Sequence, residues 1–234
     1  MSLFNDIIKI WKSDSLLSQA WDDSILMLKL SHDIFIKSID SFNSYDSVEE
    51  IKALKKEDRK INDYQMTVRR KVLTYFSLET SSREVPNGLI LVDMVVDIER
   101  IGDYCKNISD LTLMQKAPFD FGELKEEIAA MESEVRSRFS TTIQVIENQD
   151  EDLARTLNDK YKKRVSSVSD KIVSGIVSGD VKLDSQSKSA SLVLYARYLK
   201  RIGAHLKNIT STVVNAYDRI GSVSYTHLTL PTKA

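Results

Sequence analysis

The fold of this 234-residue chain is decided by ERIGDYCKNI, residues 99–108, and by its altered copy KRIGAHLKNI, residues 200–209. The two stretches are identical at six of ten positions, with Arg-Ile-Gly and Lys-Asn-Ile in register. Each lies within a long run of apolar residues at helical spacing, so the repeat predicts two structural units of similar fold. The first copy carries Glu99 and Asp103 where the second carries Lys200 and Ala204, so only the first is acidic.

The composition predicts an all-α protein. Seven Gly and three Pro are few for this length, so turns must be few and the elements long. The formal net charge is −1, which offers no overall positive field, and no nucleic-acid partner is expected. The single cysteine, Cys105, excludes an internal disulfide and a cysteine-based zinc site.

The two ends of the chain are expected to lie outside the repeat. Residues 1–15 predict a short amphipathic helix at 3–12, packed on the body or, alternatively, lying on a membrane surface. This segment does not resemble a signal peptide, and no run approaches the ~20 apolar residues that span a bilayer. A cytoplasmic location is therefore expected, with membrane contact only through a partner. Residues 222–234 have no counterpart in the first unit and are expected to be non-native.

Residues 16–117 predict a first three-helix unit, and residues 118–221 predict a second. In the second unit, the middle helix is expected to run without interruption to Gly179. The whole chain is thus predicted to form two tandem three-helix bundles, with six long antiparallel helices and a pseudo-two-fold internal repeat. The expected start signals of the first three helices are Ser13 or Ser15, the capping box Ser47/Glu50, and the capping box Ser81/Glu84.

The third helix is apolar on two sides. One face carries Leu91, Met94, Ile98, Ile101, Cys105 and Ile108. A second strip consists of Leu89, Val92, Val96, Glu99 and Asp103. Such a pattern predicts a central helix with several neighbours, and Asp93 and Asp97 are expected to face solvent. Gly102 weakens a helix interior by ~1 kcal/mol relative to Ala, so its recurrence as Gly203 indicates close approach of a neighbouring helix.

Asp58 occupies an apolar position on the second helix, where the neighbouring positions of the seam are Leu54 and Ile61. A bare buried carboxylate there would cost several kcal/mol unless it were paired or bound to a metal. Asn62 lies one turn further along the same helix. The alternative is that the seam opens to water at this end.

The sequence from Asp97 to Ile108, with Arg83 to Val96 and Glu57 to Gln65, resembles the PhoU family of phosphate-uptake regulators. The likeness covers about residues 16–220. It implies a pair of three-helix bundles, no catalysis, and control of phosphate transport or phosphate signalling. The partner it implies is a phosphate transporter subunit or a sensor histidine kinase, and a homodimer is compatible with it.

The resemblance also implies a metal site, because family members can bind iron or zinc through paired Glu/Asp-x3-Asp motifs. The matching residues in the first unit are Asp58 with Asn62 and Glu99 with Asp103. Residues four apart on a helix place two oxygen ligands on one face. The alternative is that these carboxylates form ordinary ion pairs with Arg100, Lys106 or other basic groups. In the second unit, the matching positions are Lys162, Ser166, Lys200 and Ala204, which predict no second site.

Two other functions were compared with regulation by partner binding. A ferritin-like di-iron oxidase would need Glu-x-x-His pairs, and none of the three His residues follows a Glu by three positions. A helical module that works with a sodium-phosphate symporter, without metal, stays open as the alternative.

Overall fold

The computed structural model describes residues 15–78, 82–115 and 117–221, and within these ranges it contains helices but no strand. The helix predicted at 3–12 and the tail at 222–234 lie outside the described residues. The α-helices are α1 (Leu16–Ser44), α2 (Val48–Leu78), α3 (Val85–Met114), α4 (Lys125–Asn148), α5 (Glu151–Tyr161), α6 (Ser167–Ser178) and α7 (Gln186–Val214). Single 3₁₀ turns occupy Ser82–Glu84, Gly122–Leu124 and Tyr217–Arg219, and a π turn occupies Lys162–Ser166.

The starts of α1 and α2 follow the local capping chemistry, whereas α3 has no side-chain cap hydrogen bond at Glu84 of its predicted capping box. The Ser15 hydroxyl accepts a hydrogen bond from the Ser18 amide at 3.2 Å, so α1 begins at the second of its two predicted caps. The Glu50 amide donates to the Ser47 hydroxyl at 3.2 Å, and the Ser47 amide donates to the Glu50 carboxylate at 3.1 Å. This exchange confirms the predicted capping box of α2.

The helices pack through their apolar faces into two bundles. Helices α1, α2 and α3 form the first bundle, whose fully buried residues include Phe35, Ile61 and Ile98. Helices α4 and α7 enclose the α5–α6 segment to form the second, with Val165 and Ile202 fully buried. The prediction of an all-α fold with two tandem three-helix bundles is confirmed.

The middle helix of the second bundle is not the uninterrupted α-helix that was predicted. It consists of α5, the π turn Lys162–Ser166 and α6. Before the turn, buried Leu157 matches Leu54 of α2 at an offset of 103 residues, whereas after it Val165 matches Ile61 at an offset of 104. Because a helix can accommodate one inserted residue as a π turn, both halves of the seam keep facing the core.

The two bundles meet where α3 packs against α7. Asp97 is largely buried rather than solvent-facing, because its Oδ1 lies 2.6 Å from His205 Nδ1 and accepts from Asn208 Nδ2 at 3.1 Å. Under the repeat offset of 101, this pair corresponds to Tyr198 and Tyr104, whose rings lie 5.8 Å apart. The contact between α3 and α7 is therefore pseudo-symmetric. The polar pair Asp97/His205 on one side corresponds to the aromatic pair Tyr104/Tyr198 on the other.

A second contact between the bundles is built around Glu132 of α4. Tyr195 of α7 donates to its Oε1 at 2.5 Å, and Asn43 of α1 donates to its Oε2 at 3.1 Å. The Tyr195 ring stacks on Phe42 with 4.1 Å between ring centroids. Burial raises the pKa of Glu132, opposed by these two hydrogen bonds and by Arg136. One buried carboxyl thus joins three helices from both bundles.

We expect Glu132→Gln to remove a pH dependence of stability. Because the native pKa lies above the ordinary value of 4.5, the folded state binds the proton more tightly than the unfolded chain does. The free energy of unfolding of the parent should therefore fall, relative to that of the variant, as pH rises from about 4.5 through the raised pKa. Urea denaturation of both proteins between pH 4 and 7 measures this difference. A difference that does not change with pH would contradict it.

Candidate functional site

Helices α2 and α3 are in close contact at Gly102. A Cβ atom at this position would lie 2.9 Å from Ile61 Cδ1 and 3.4 Å from Asp58 Oδ1. Further along the pair, Gln65 Nε2 donates to the Val95 carbonyl at 3.5 Å. These contacts define an antiparallel register and explain why a helix-weakening glycine is found here, since a side chain larger than a methyl group would collide with α2.

Asp58 is only 7% exposed, and its two carboxylate oxygens differ in environment. Lys106 Nζ donates to Oδ2 at 3.3 Å, whereas the buried Oδ1 has no hydrogen-bond partner in the described part of the chain. A buried oxygen without a partner costs free energy, so this carboxylate has spare capacity to bind a cation or water. Of the two alternatives for Asp58, burial on the α2 seam is the one that the structure shows.

Glu99 and Asp103 lie one turn apart on α3 and share the guanidinium of Arg100. Arg100 Nη1 donates to Asp103 Oδ2 at 3.1 Å, and its Nε lies 3.7 Å from Glu99 Oε2. Burial raises the pKa of Glu99, and the charges of Asp103 and Asp58 raise it further while Arg100 opposes them. The three carboxylates are thus close enough to interact, and each is next to a basic group.

The α2/α3 register places Asp58 level with Asp103 and half-buried Asn62 level with Glu99. The four predicted ligands therefore lie at neighbouring levels of one helix pair. Within residues 15–78, 82–115 and 117–221, however, no three His, Cys, Asp or Glu side chains are grouped so that they could hold a metal ion. Metal binding at these residues stays a prediction.

In the second bundle, the residues that face the matching glycine differ because of the π turn. A Cβ on Gly203 would lie 3.0 Å from Tyr161 Cε2 and 3.2 Å from Val165 Cγ1. Tyr161 therefore contacts Gly203 in the second bundle in the same way that Asp58 contacts Gly102 in the first. The alignment of Asp58 with Lys162 was wrong by one residue, because it assumed a helix without an insertion.

The other second-bundle positions that match the predicted ligands carry either a surface ion pair or no charge. Lys200 Nζ donates to both carboxylate oxygens of Asp170, at 2.6 and 2.7 Å. Ala204 and Ser166 supply no carboxylate. The acidic arrangement therefore belongs to the first bundle alone.

Arg138 of α4 is a buried cation that the sequence analysis missed. Its side chain is completely buried, its Nη2 donates to the Leu157 carbonyl at 2.7 Å, and its guanidinium lies 5.4 Å from the Tyr161 ring centroid. Its Nε and Nη1 have no hydrogen-bond partner among the described residues. The available signal was spacing, because Arg138 lies seven residues after Met131 and three after Val135 on the α4 seam.

The structure consists of two helical bundles that are joined through their third helices, and only the first carries neighbouring carboxylates on its second and third helices. This architecture defines a tandem helical-repeat protein. A family model described as the PhoU domain matches residues 25–112 and again residues 128–213, one match in each bundle. The chain belongs to the PhoU domain family.

Solved structures share the fold at low sequence identity. The phosphate transport system regulatory protein PhoU from Streptococcus pneumoniae is 17% identical, with a TM-score of 0.75 over 90% of this chain and 98% of that one. PhoU from Pseudomonas aeruginosa is 16% identical, with a TM-score of 0.59 over 90% of this chain and 97% of that one. A comparison with curated protein sequences found no match. Of the helices described, none is long and apolar enough to cross a bilayer.

Proposed function

We propose that this chain is a non-catalytic regulator of phosphate transport or phosphate signalling, which acts by binding a phosphate transporter subunit or its sensor histidine kinase. The observation that carries the proposal is the double match to the PhoU domain, which extends over both bundles. The similar fold of the Streptococcus pneumoniae protein, described as a phosphate transport system regulatory protein, supports it. Two rigid bundles offer long helical faces for a protein partner.

Deleting the gene and measuring phosphate uptake tests this function. Loss of regulation in phosphate-replete cells, restored by the full chain, is the expected result. Affinity purification from the same cells then distinguishes an ATP-driven transporter or kinase from a sodium-phosphate symporter. Unchanged uptake after deletion would contradict the proposal.

A metal site on the first bundle is the second part of the proposal. Oδ1 of buried Asp58, which has no hydrogen-bond partner within the described residues, fits a cation ligand. Oxygen donors from Asn62, Glu99 and Asp103 would complete the set. Bound iron or zinc would supply positive charge that lowers the repulsion among the carboxylates. Asp103 and Glu99 would then exchange their contacts with Arg100 for the metal.

We expect the double variant Glu99→Ala/Asp103→Ala to lose the iron or zinc that co-purifies with the parent, because two of four oxygen donors are removed. Elemental analysis of both proteins measures the loss. Asp170→Ala in the second bundle is the matched control, since it removes a carboxylate paired with Lys200. Equal metal content in parent and double variant would overturn the metal site.

A further inference from the structure

A cavity of about 330 Å³ opens where the first bundle meets the second. Its walls come from α1, from the segment between the bundles and from α4. The lining residues include Asn43, Phe119, Phe121, Lys125, Ala129 and Glu132. This volume falls within the range of small-molecule sites in proteins, about 300–1,000 Å³. The cavity shares no residue with the proposed metal site on α2 and α3.

Glu132 places a buried carboxyl group at this cavity, since it is only 9% exposed. Its Oε1 accepts from Tyr195, which is fully buried and is not a lining residue. Its Oε2 accepts from Asn43, which is half-buried and lines the cavity. Oε2 is therefore the oxygen on the cavity side. Because a carboxylate oxygen can accept two hydrogen bonds, Oε2 retains one position for a further donor.

Asn43 supplies a second acceptor beside this carboxylate. Its Nδ2 donates to Glu132 Oε2 at 3.1 Å, and no donor of the described part of the chain is bonded to its Oδ1. Two acceptor oxygens thus lie next to each other at the wall of one cavity. An ammonium group carries three N–H donors and a positive charge, so it can bond both oxygens.

Glu132 has no cationic partner in direct contact among the described residues. Arg136, whose charge lowers the pKa of Glu132, forms an ion pair with Asp40 at 2.5 Å. Lys125 lines the cavity and is exposed, and no ion pair joins it to Glu132. Burial raises the pKa of Glu132, because an ionised carboxylate is less stable out of water. A cation bound against the carboxylate would offset this cost.

Two phenyl rings form an apolar part of the wall. Phe119 and Phe121 are half-buried, with 5.0 Å between their ring centroids, and the Phe119 ring stacks on Phe42 at 5.2 Å. Apolar surface in a cavity favours contact with methylene groups over contact with water. An anionic end beside an apolar wall fits an ammonium group that is carried on a short alkyl chain.

We propose that this cavity binds a small primary amine in its protonated form, whose ammonium group donates to Glu132 Oε2 and Asn43 Oδ1. The alkyl chain of the ligand lies against Phe119 and Phe121. Because Asn43 belongs to α1 and Glu132 to α4, the ligand links the first bundle to the second. This site goes beyond the proposed regulatory function and does not depend on it.

Titration with three ligands that share a butyl or butyryl chain tests the preference for charge. Butylammonium chloride, butanol and sodium butyrate are each added to the nitrogen-15-labelled full chain at pH 8 and constant ionic strength, and the side-chain amide signal of Asn43 is followed by NMR. We expect saturable binding of butylammonium and binding of butanol that is about tenfold weaker or more, because a charge-assisted hydrogen bond is lost. Butyrate should not bind. Butylammonium that fails to saturate, or that binds no more tightly than butanol or butyrate, would overturn the proposal.

Glu132→Gln keeps the shape of the side chain and removes its negative charge. The affinity for butylammonium should fall about tenfold or more in this variant. Glu126→Gln is the matched control, because Glu126 is an exposed carboxylate of the same helix that does not line the cavity. It should leave the affinity within about twofold of the parent. Equal affinities of the two glutamine variants would refute the role of Glu132.

Ala129→Leu tests the site without altering the buried carboxyl. Ala129 is exposed and lines the cavity, so a leucine side chain would occupy part of the ligand volume. We expect butylammonium binding about tenfold weaker than in the parent. Ala130→Leu is the control at the next position of α4, which is exposed outside the cavity, and it should bind within about twofold of the parent. If both leucine variants bind as the parent does, butylammonium does not occupy this cavity and the proposal falls.

Discussion

Arg138→Ala is expected to lower the free energy of unfolding by about 3 kcal/mol. Two effects destabilise the variant: a cavity replaces a completely buried side chain, and the Leu157 carbonyl loses its donor next to the π turn. One effect opposes them, because two guanidinium nitrogens, Nε and Nη1, find no hydrogen-bond partner among the described residues, and their burial is itself costly. Cavity and lost hydrogen bond together exceed this relief. Urea denaturation at neutral pH measures the change.

Arg138→Met is the matched control, because methionine fills most of the space without a buried charge. The repeat supports this choice, since Ile34 occupies the position 104 residues earlier and is buried in the first bundle. We expect the methionine variant to recover most of the stability that alanine loses. A methionine variant as unstable as the alanine variant would show that the bond to Leu157, rather than filled volume, stabilises α5.

Gly102→Leu is expected to lower the free energy of unfolding by about 2–3 kcal/mol. Its Cβ would lie 2.9 Å from the Ile61 Cδ1 atom, and Ile61 is fully buried in the first core. The three further carbons must displace Ile61 or Asp58, which separates α2 from α3. The gain in helix propensity over glycine, about 0.8 kcal/mol, offsets only part of this cost.

The Gly102→Ala variant separates the steric clash with α2 from the change in helix propensity. Alanine adds one carbon, which a small shift of the Ile61 terminal methyl accommodates, and it gains about 1 kcal/mol in helix propensity. We therefore expect the alanine variant to lie within about 1 kcal/mol of the parent. Thermal and urea denaturation of both variants provide the comparison, and a leucine variant as stable as alanine would show that α2 and α3 do not approach closely at this residue.

Much of the fold could be predicted because it depends on local periodicity. The seam through Phe35 and the capping box at Ser47 each specify a helix within a few turns of sequence. The repeat of Gly102 as Gly203 predicted a close helix pair in each bundle, and both glycines do face a neighbouring helix. The seam position of Asp58 left burial and exposure to water as alternatives, and the structure shows that Asp58 is buried.

The site was predicted less completely because it depends on register between distant helices. Asp97 shares a helix with Glu99 but lies on the side that meets α7, so His205 and Asn208 bury it. The sequence allows Lys106 to pair with the carboxylates of its own helix, whereas in the structure it donates to Asp58 across the helix interface. Which acid meets which base is a property of the packed pair rather than of either helix.

The amino-acid pattern is sufficient to predict a set of three helices that occurs twice, with acidic residues at the matched positions of the first set only. These are properties of composition and periodicity, which each helix carries alone. The packing of the helices is needed to show that Tyr161 rather than Lys162 takes the place of Asp58, that Arg138 is buried, and that the described helices cover the second strip of α3 only in part. The physical reason is that one inserted residue can be absorbed as a π turn, and that the exposure of a strip depends on which helices pack beside it.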